Sequence, residues 1–103
     1  MTVVVTAVFH PAEGRTAALI DALRTTIPAV HQEQGCQLYA IHDADDGTIT
    51  MIEKWDSHED LAAHAGSPAV KALQDAVAEL IAQPTTVTTM TPLPAGTAKQ
   101  GVL

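Results

Sequence analysis

The chain has 103 residues, of which 47% are hydrophobic and 17% are charged, and its formal net charge is −7 at pH 7. This length and apolar content predict one folded domain with a real core. The acidic balance argues against nucleic acid or an anionic membrane as partner, because both are bound through clustered lysine and arginine. Without a long apolar run or a signal-like segment, and with a single cysteine, a cytoplasmic protein is expected.

The first half of the chain predicts a strand, a helix and a second strand. Thr2 to Phe9 is rich in β-branched residues, which favour strands. Apolar residues recur at helical spacing from Arg15 to about Gln34, and Pro28 inside that pattern predicts a kink or the start of a last turn. Gly35 then ends the helix, and Cys36 to Asp43 reads as the second strand. The apolar helix positions are Leu19, Leu23, Ile27 and Val30.

A hairpin and a capped helix follow. Asp45-Asp46-Gly47 supplies the residues of a tight turn, which predicts a third strand from Thr48 to about Trp55. Ser57 and Asp60 have capping-box spacing, in which the side chains satisfy free N–H groups at a helix start. A helix is therefore expected directly after the third strand.

The helical region after Ser57 is predicted to be broken rather than continuous. Gly66 ends the first piece, and Ser67-Pro68 provides an N-cap and a first helical residue for a second piece. Pro84 stops that second helix, and Thr85 to Thr91 reads as a last strand. The buried stripe of the second helix is expected at Val70, Leu73, Val77, Leu80 and Ile81.

The resulting order, β-α-β-β-α-β, predicts an α+β, ferredoxin-like fold with helices on one face of a four-stranded antiparallel sheet. The other face would carry valine, threonine and isoleucine side chains, which are too apolar to remain in water. A homodimer packed sheet to sheet is therefore expected. Residues 1–93 form the predicted domain, and residues 94–103 form an extended tail that is expected to lie along the partner subunit.

Trp55 and His64 are the leading candidates for a functional site. Trp55, the only tryptophan, ends the third strand, and His64 shares a helix face with Leu61 one turn into the next helix. Both side chains are therefore expected to line one mostly apolar cavity between sheet and helices. Glu53 lies on the same strand face as Trp55, and a buried carboxylate needs a partner, so a structural ion pair or a backbone donor is expected for it ahead of a role as general base.

Four segments in this order resemble the antibiotic biosynthesis monooxygenase domain. They are Gly35-Cys36-Gln37-Leu38-Tyr39, Glu53-Lys54-Trp55, Leu61-Ala62-Ala63-His64 and Ser67-Pro68-Ala69-Val70. The resemblance covers nearly the whole chain and implies a dimeric α+β barrel with a ligand pocket in each subunit. Members of that family oxidise polycyclic phenols or quinols with molecular oxygen and no metal or flavin, degrade haem, or isomerise small signalling compounds.

The match to the haem-degrading branch is incomplete. That branch uses a histidine and a tryptophan, for which Trp55 and His64 are the counterparts, together with an asparagine on the first strand. This chain contains no asparagine, and Val8 and Phe9 stand at the end of that strand. The resemblance therefore argues against haem oxygenase activity while leaving axial ligation of haem by His64 open.

The match to the quinol-oxidising branch is partial. Its members surround the substrate with a tyrosine, a tryptophan and an arginine, and Tyr39 and Trp55 are the counterparts of the first two. Both arginines of this chain, Arg15 and Arg24, belong to the first predicted helix.

The main hypothesis is a monooxygenase that needs no cofactor and no metal and uses molecular oxygen to oxidise a planar phenol, quinol or polyketide-like substrate. His64 would be the catalytic base, because imidazole exchanges protons near neutral pH. Trp55, Tyr39, Phe9 and Met51 would hold the small aromatic substrate. Two alternatives stay open: a non-catalytic module that binds a small ligand or haem, and a small-molecule isomerase with His64 as proton shuttle.

Overall fold

A four-stranded antiparallel sheet and three helices make up the chain, whose computed structural model describes all residues from Met1 to Leu103. The strands lie in the order β2-β3-β1-β4, and the fold is the predicted ferredoxin-like α+β fold. The elements are β1 (Val3–Phe9), α1 (Thr16–His31), β2 (Cys36–Asp43), β3 (Ile49–Trp55), α2 (His58–Ala65), α3 (Pro68–Val77) and β4 (Thr86–Met90).

The two faces of the sheet follow from the register of its central strands. Glu53 of β3 pairs with Val5 of β1 and with Tyr39 of β2, so these three side chains point to the same, helix-covered face. Alternate residues of β3 are buried on that face, namely Ile49, Met51, Glu53 and Trp55. The opposite face carries half-buried apolar side chains such as Val8, Leu38 and Ile52.

The predicted break between the second and third helices is confirmed. The Ser57 hydroxyl accepts a hydrogen bond from the Asp60 backbone N–H (3.1 Å), and the Ser67 hydroxyl accepts one from the Val70 N–H (3.1 Å). Each serine thus caps its own helix. Because α2 is only eight residues long, these caps hold its far end, including His64, in a fixed place over the sheet.

The third helix ends earlier than its apolar stripe predicts. Leu80 and Ile81 lie beyond α3, which ends at Val77. The backbone N–H of Ala12 donates to the Leu80 carbonyl (2.9 Å), and Ile81 forms a bridge with Pro11. Tertiary backbone hydrogen bonds to the loop after β1 therefore replace the last helical turn. Likewise α1 ends at His31 rather than near Gln34.

The edge strand β4 leaves one side of the molecule open. All five of its residues are exposed, and Val87, which lies on the helix-covered face, is 62% exposed. Neither α2 nor α3 closes over this strand, so the space between β4 and α3 remains accessible. None of the helices has the length and apolar character needed to cross a bilayer.

Candidate functional site

A cavity of about 900 Å³ lies between the sheet and the helices α2 and α3. Of its 22 lining residues, 14 are hydrophobic, which confirms the predicted apolar character. The strands supply its floor and the two helices supply its roof. The titratable side chains at its wall are Tyr39, Glu53, His58 and His64. No three His, Cys, Asp or Glu side chains converge in a way that could hold a metal ion.

His64 is the best-positioned titratable group at this wall. It lies in the last turn of α2 and is only 6% exposed. Its Nδ1 is 2.7 Å from Oε1 of Glu33, whereas its Nε2 makes no hydrogen bond within the protein. A carboxylate at Nδ1 favours the tautomer with the proton on Nδ1, which leaves a lone pair on Nε2. Nε2 is therefore the atom available to a molecule in the cavity.

Glu33 reaches His64 because of the turn that follows α1. In that turn Gly35 has φ +80°, and its carbonyl accepts a hydrogen bond from the backbone N–H of Asp56 (2.9 Å). Its Cα packs so closely against Asp60 of α2 that a Cβ would collide with the Asp60 side chain. Because the residue is glycine, the turn can pack directly against the start of α2. Oε2 of Glu33 is buried without a hydrogen-bond partner, so the contact with His64 is the one its carboxylate makes.

Trp55 lies behind His64 rather than at the cavity wall. Its side chain is fully buried, its ring centroid is 4.5 Å from that of His64, and the two planes are inclined by 32°. The prediction that Trp55 lines the cavity is therefore corrected, because α2 places the imidazole between the indole and the cavity. An indole face against this ring stabilises the protonated imidazolium through a cation–π interaction.

Glu53 is a second carboxyl group at the cavity wall and is only 5% exposed. Burial raises its pKa, while the hydrogen bond from Trp55 and the proximity of His64 act in the opposite direction. Trp55 Nε1 donates to Glu53 Oε1 (3.0 Å). The predicted ion pair or backbone donor is thus replaced by an indole N–H, which leaves the carboxyl group without a neutralising lysine or arginine.

Tyr39 borders both rings from the neighbouring strand. Its ring meets His64 edge-on at 5.3 Å and Trp55 at 6.2 Å between centroids. Burial, followed by the charges of Glu53 and Glu33, raises the pKa of its hydroxyl well above the usual range, so the group stays protonated. The hydroxyl makes no hydrogen bond within the protein, and Tyr39 is one of the residues that line the cavity.

The other predicted site residues are divided between cavity and core. Phe9 lines the cavity from β1. Met51 does not, because it is fully buried between Ala7 and Ile41 of the adjacent strands, and its predicted place at the substrate is corrected. Glu33 was not predicted at all, since 31 residues separate it from His64 and no local pattern connects them.

The sequence of this chain matches the family model described as antibiotic biosynthesis monooxygenase over residues 2–76. The chain belongs to this family. Rv0793 of Mycobacterium tuberculosis, which carries the name of a monooxygenase, is 34% identical over 92 residues, covering 88% of this chain and 91% of the relative. YgiN of Escherichia coli K12 carries the name of a quinol monooxygenase and is 32% identical over 87 residues, covering 75% of this chain and 84% of YgiN.

Solved structures of family members share the fold. The structure of Rv0793 superposes with a TM-score of 0.84 at 31% identity and covers 94% of this chain and 100% of that one. A protein from Nitrosomonas europaea superposes with a TM-score of 0.82, covering 92% of this chain and 94% of its own. At 22% identity the latter likeness concerns the fold alone.

Proposed function

We propose that the protein is a cofactor-independent monooxygenase that uses molecular oxygen to oxidise a planar phenol or quinol. The observation that carries this proposal is the contact between the half-buried Glu33 and the buried His64, which lies at the wall of a large apolar cavity. A carboxylate on Nδ1 makes Nε2 the proton-accepting atom, which is the arrangement of a general base. Family membership and the names of Rv0793 and YgiN support the same reaction class.

Proton removal is the first step. Nε2 of His64 takes the proton of a substrate hydroxyl, and the resulting imidazolium is stabilised by the Glu33 carboxylate on one side and the Trp55 face on the other. The mostly apolar lining solvates the phenolate poorly, so the phenolate gives up an electron readily. Tyr39 and Phe9 orient the ring from the sheet side.

The substrate then supplies all electrons. The phenolate passes one electron to dioxygen, and the phenoxyl radical and superoxide combine at a ring carbon that bears hydrogen, forming a C–O bond. His64 returns its proton to the outer peroxide oxygen. Loss of that oxygen as water, together with the hydrogen of the ring carbon, leaves a carbonyl group. One oxygen atom thus enters a quinone product and the other leaves as water.

An oxygen-uptake assay with naphthol and naphthohydroquinone tests the proposal. We expect one dioxygen consumed per quinone formed, and we expect His64→Gln to lower kcat by about 100-fold or more, the usual contribution of a general base. His42→Gln is the matched control, because His42 is exposed on the edge strand β2 and does not line the cavity. Binding without turnover would indicate the non-catalytic module, and product formation without oxygen uptake would indicate the isomerase.

A further inference from the structure

We infer that Glu53 is a specificity-determining residue that accepts a hydrogen bond from a second hydroxyl group of the substrate, so that the site selects dihydroxylated aromatic rings. The inference rests on the proposed function for the ligand class and adds a second anchoring point. It concerns a residue that the proton-transfer step does not use.

Glu53 is buried without a cationic partner. The residue is 5% exposed and lines the cavity, and no lysine or arginine forms a salt bridge with it. A buried carboxyl group with so few partners is costly, and its pKa is raised accordingly. Such a group calls for an explanation, and a ligand that completes its hydrogen bonds provides one.

One oxygen of the Glu53 carboxyl group remains free. Trp55 Nε1–H occupies Oε1, whereas Oε2 makes no hydrogen bond within the protein. Glu53 lines the cavity and the buried Trp55 does not, so we place Oε2, the oxygen that the indole does not occupy, toward the cavity. His64 Nε2 is a second free acceptor at the same wall. Two acceptors in one apolar cavity suit a ring that carries two donors.

Substitution of Glu53 by glutamine would exchange the free acceptor for a donor. Because the indole nitrogen is only a donor, Glu53→Gln must keep its amide oxygen on Trp55 and turn its amide N–H group toward the cavity. The unmodified site favours a ligand group that donates a hydrogen bond, whereas the substituted site favours one that accepts. The shape of the site hardly changes.

Anaerobic calorimetry with two ligands tests the inference without turnover. We expect the unmodified protein to bind naphthohydroquinone about tenfold more tightly than its monomethyl ether, because the ether leaves the buried Glu53 oxygen without a hydrogen-bond partner. In Glu53→Gln that preference should fall to about threefold or less, because the methoxy oxygen now meets an N–H group. Glu13→Gln, the same chemical change at an exposed turn position outside the cavity, should retain the full preference.

Tyr39→Phe tests which side chain accepts the hydrogen bond from the second hydroxyl group of the substrate. The Tyr39 hydroxyl is another unpartnered oxygen at this wall, so a preference that survives Tyr39→Phe but not Glu53→Gln assigns the contact to Glu53 rather than to Tyr39. Equal binding of the two ligands by the unmodified protein, or an unchanged preference in Glu53→Gln, would overturn the inference. The oxygen-uptake assay can fail independently of this test. A protein that shows the ligand preference but takes up no oxygen would contradict the proposed reaction and still support the Glu53 contact.

Discussion

The chemistry of the site depends on a few side chains that are buried yet incompletely bonded. Glu33 gives one oxygen to His64 and leaves the other buried without a partner, and Glu53 gives one oxygen to Trp55. Two carboxyl groups thus approach one imidazole and one indole beside a mostly apolar cavity. Groups in such surroundings interact strongly with each other, so single substitutions there should have large and coupled effects.

The first expectation concerns Glu33 as a positioning residue for His64. Glu33→Gln retains an acceptor oxygen for Nδ1–H but loses the charge, so we expect kcat to fall about tenfold, and Glu33→Ala to cost about 100-fold. Steady-state oxygen uptake measures both variants. In a His64→Gln background, Glu33→Gln should have no further effect, because the residue acts through the imidazole. A further loss of similar size in that background would indicate a purely structural role.

The second expectation concerns the pH dependence of stability. Burial raises the folded-state pKa of Glu53 above its ordinary value of 4.5. Folding therefore favours the protonated carboxyl group, and this contribution is complete below the unfolded pKa and lost as pH rises through the folded one. Glu53→Gln, which does not titrate, should match the unmodified protein near pH 4 and become relatively more stable toward pH 7. Urea unfolding at both pH values measures the difference, and a constant difference would contradict the expectation.

At the residue scale the sequence predicted the members of the site better than their arrangement. The period-two pattern of β3 correctly put Glu53 and Trp55 on one face, and helical spacing put His64 above it. Which of two adjacent aromatic rings meets the cavity depends on where α2 docks, and that is a tertiary property. The Glu33–His64 contact likewise depends on docking of the turn after α1, so local patterns could not predict it.

At the scale of elements, the turn after α1 and the start of α2 act as one unit. Gly35 has a positive φ and lies against Asp60, and this close approach places Glu33 beside His64. Start signals such as Ser57 and Ser67 are local and were predicted correctly. Helix ends were predicted less well, because the end of α3 is set by hydrogen bonds with the loop after β1 rather than by its own sequence.

The third expectation tests this unit. Gly35→Ala should destabilise the protein by about 2 kcal/mol, from left-handed strain and from the collision with Asp60. Gly47→Ala is the matched control, because Gly47 also has a positive φ but nothing lies within 4 Å of its added Cβ, so about 1 kcal/mol of strain remains. Chemical denaturation gives both values. Adding Asp60→Ala to Gly35→Ala should recover part of the difference, because it removes the Asp60 carboxylate but leaves its Cβ 2.7 Å from the added methyl group; no recovery would show that the collision is unimportant.

At the scale of the whole molecule, the sheet face away from the helices is incompletely covered. It carries Val8, Leu38 and Ile52, and the exposed strand β4 continues it with Met90 at 38% exposure. Leu93, which directly precedes the tail, is 85% exposed. Burial of such surface against a second copy recovers about 25 cal/mol per Å² of apolar area before association costs. A two-fold axis suits a face that meets itself.

The last expectation is therefore a homodimer in solution, with the open sheet face and part of residues 92–103 at its interface. Light scattering at micromolar concentration should give twice the chain mass of 10.8 kDa. Ile52→Glu places a charge at the centre of the face and should give monomers, because a desolvated unpaired carboxylate costs several kcal/mol. Ala17→Glu, the same charge on the exposed side of α1, should leave the dimer intact. Removal of residues 94–103 should weaken association. A monomeric mass for the unmodified protein, or equal effects of the two glutamate variants, would contradict this assembly.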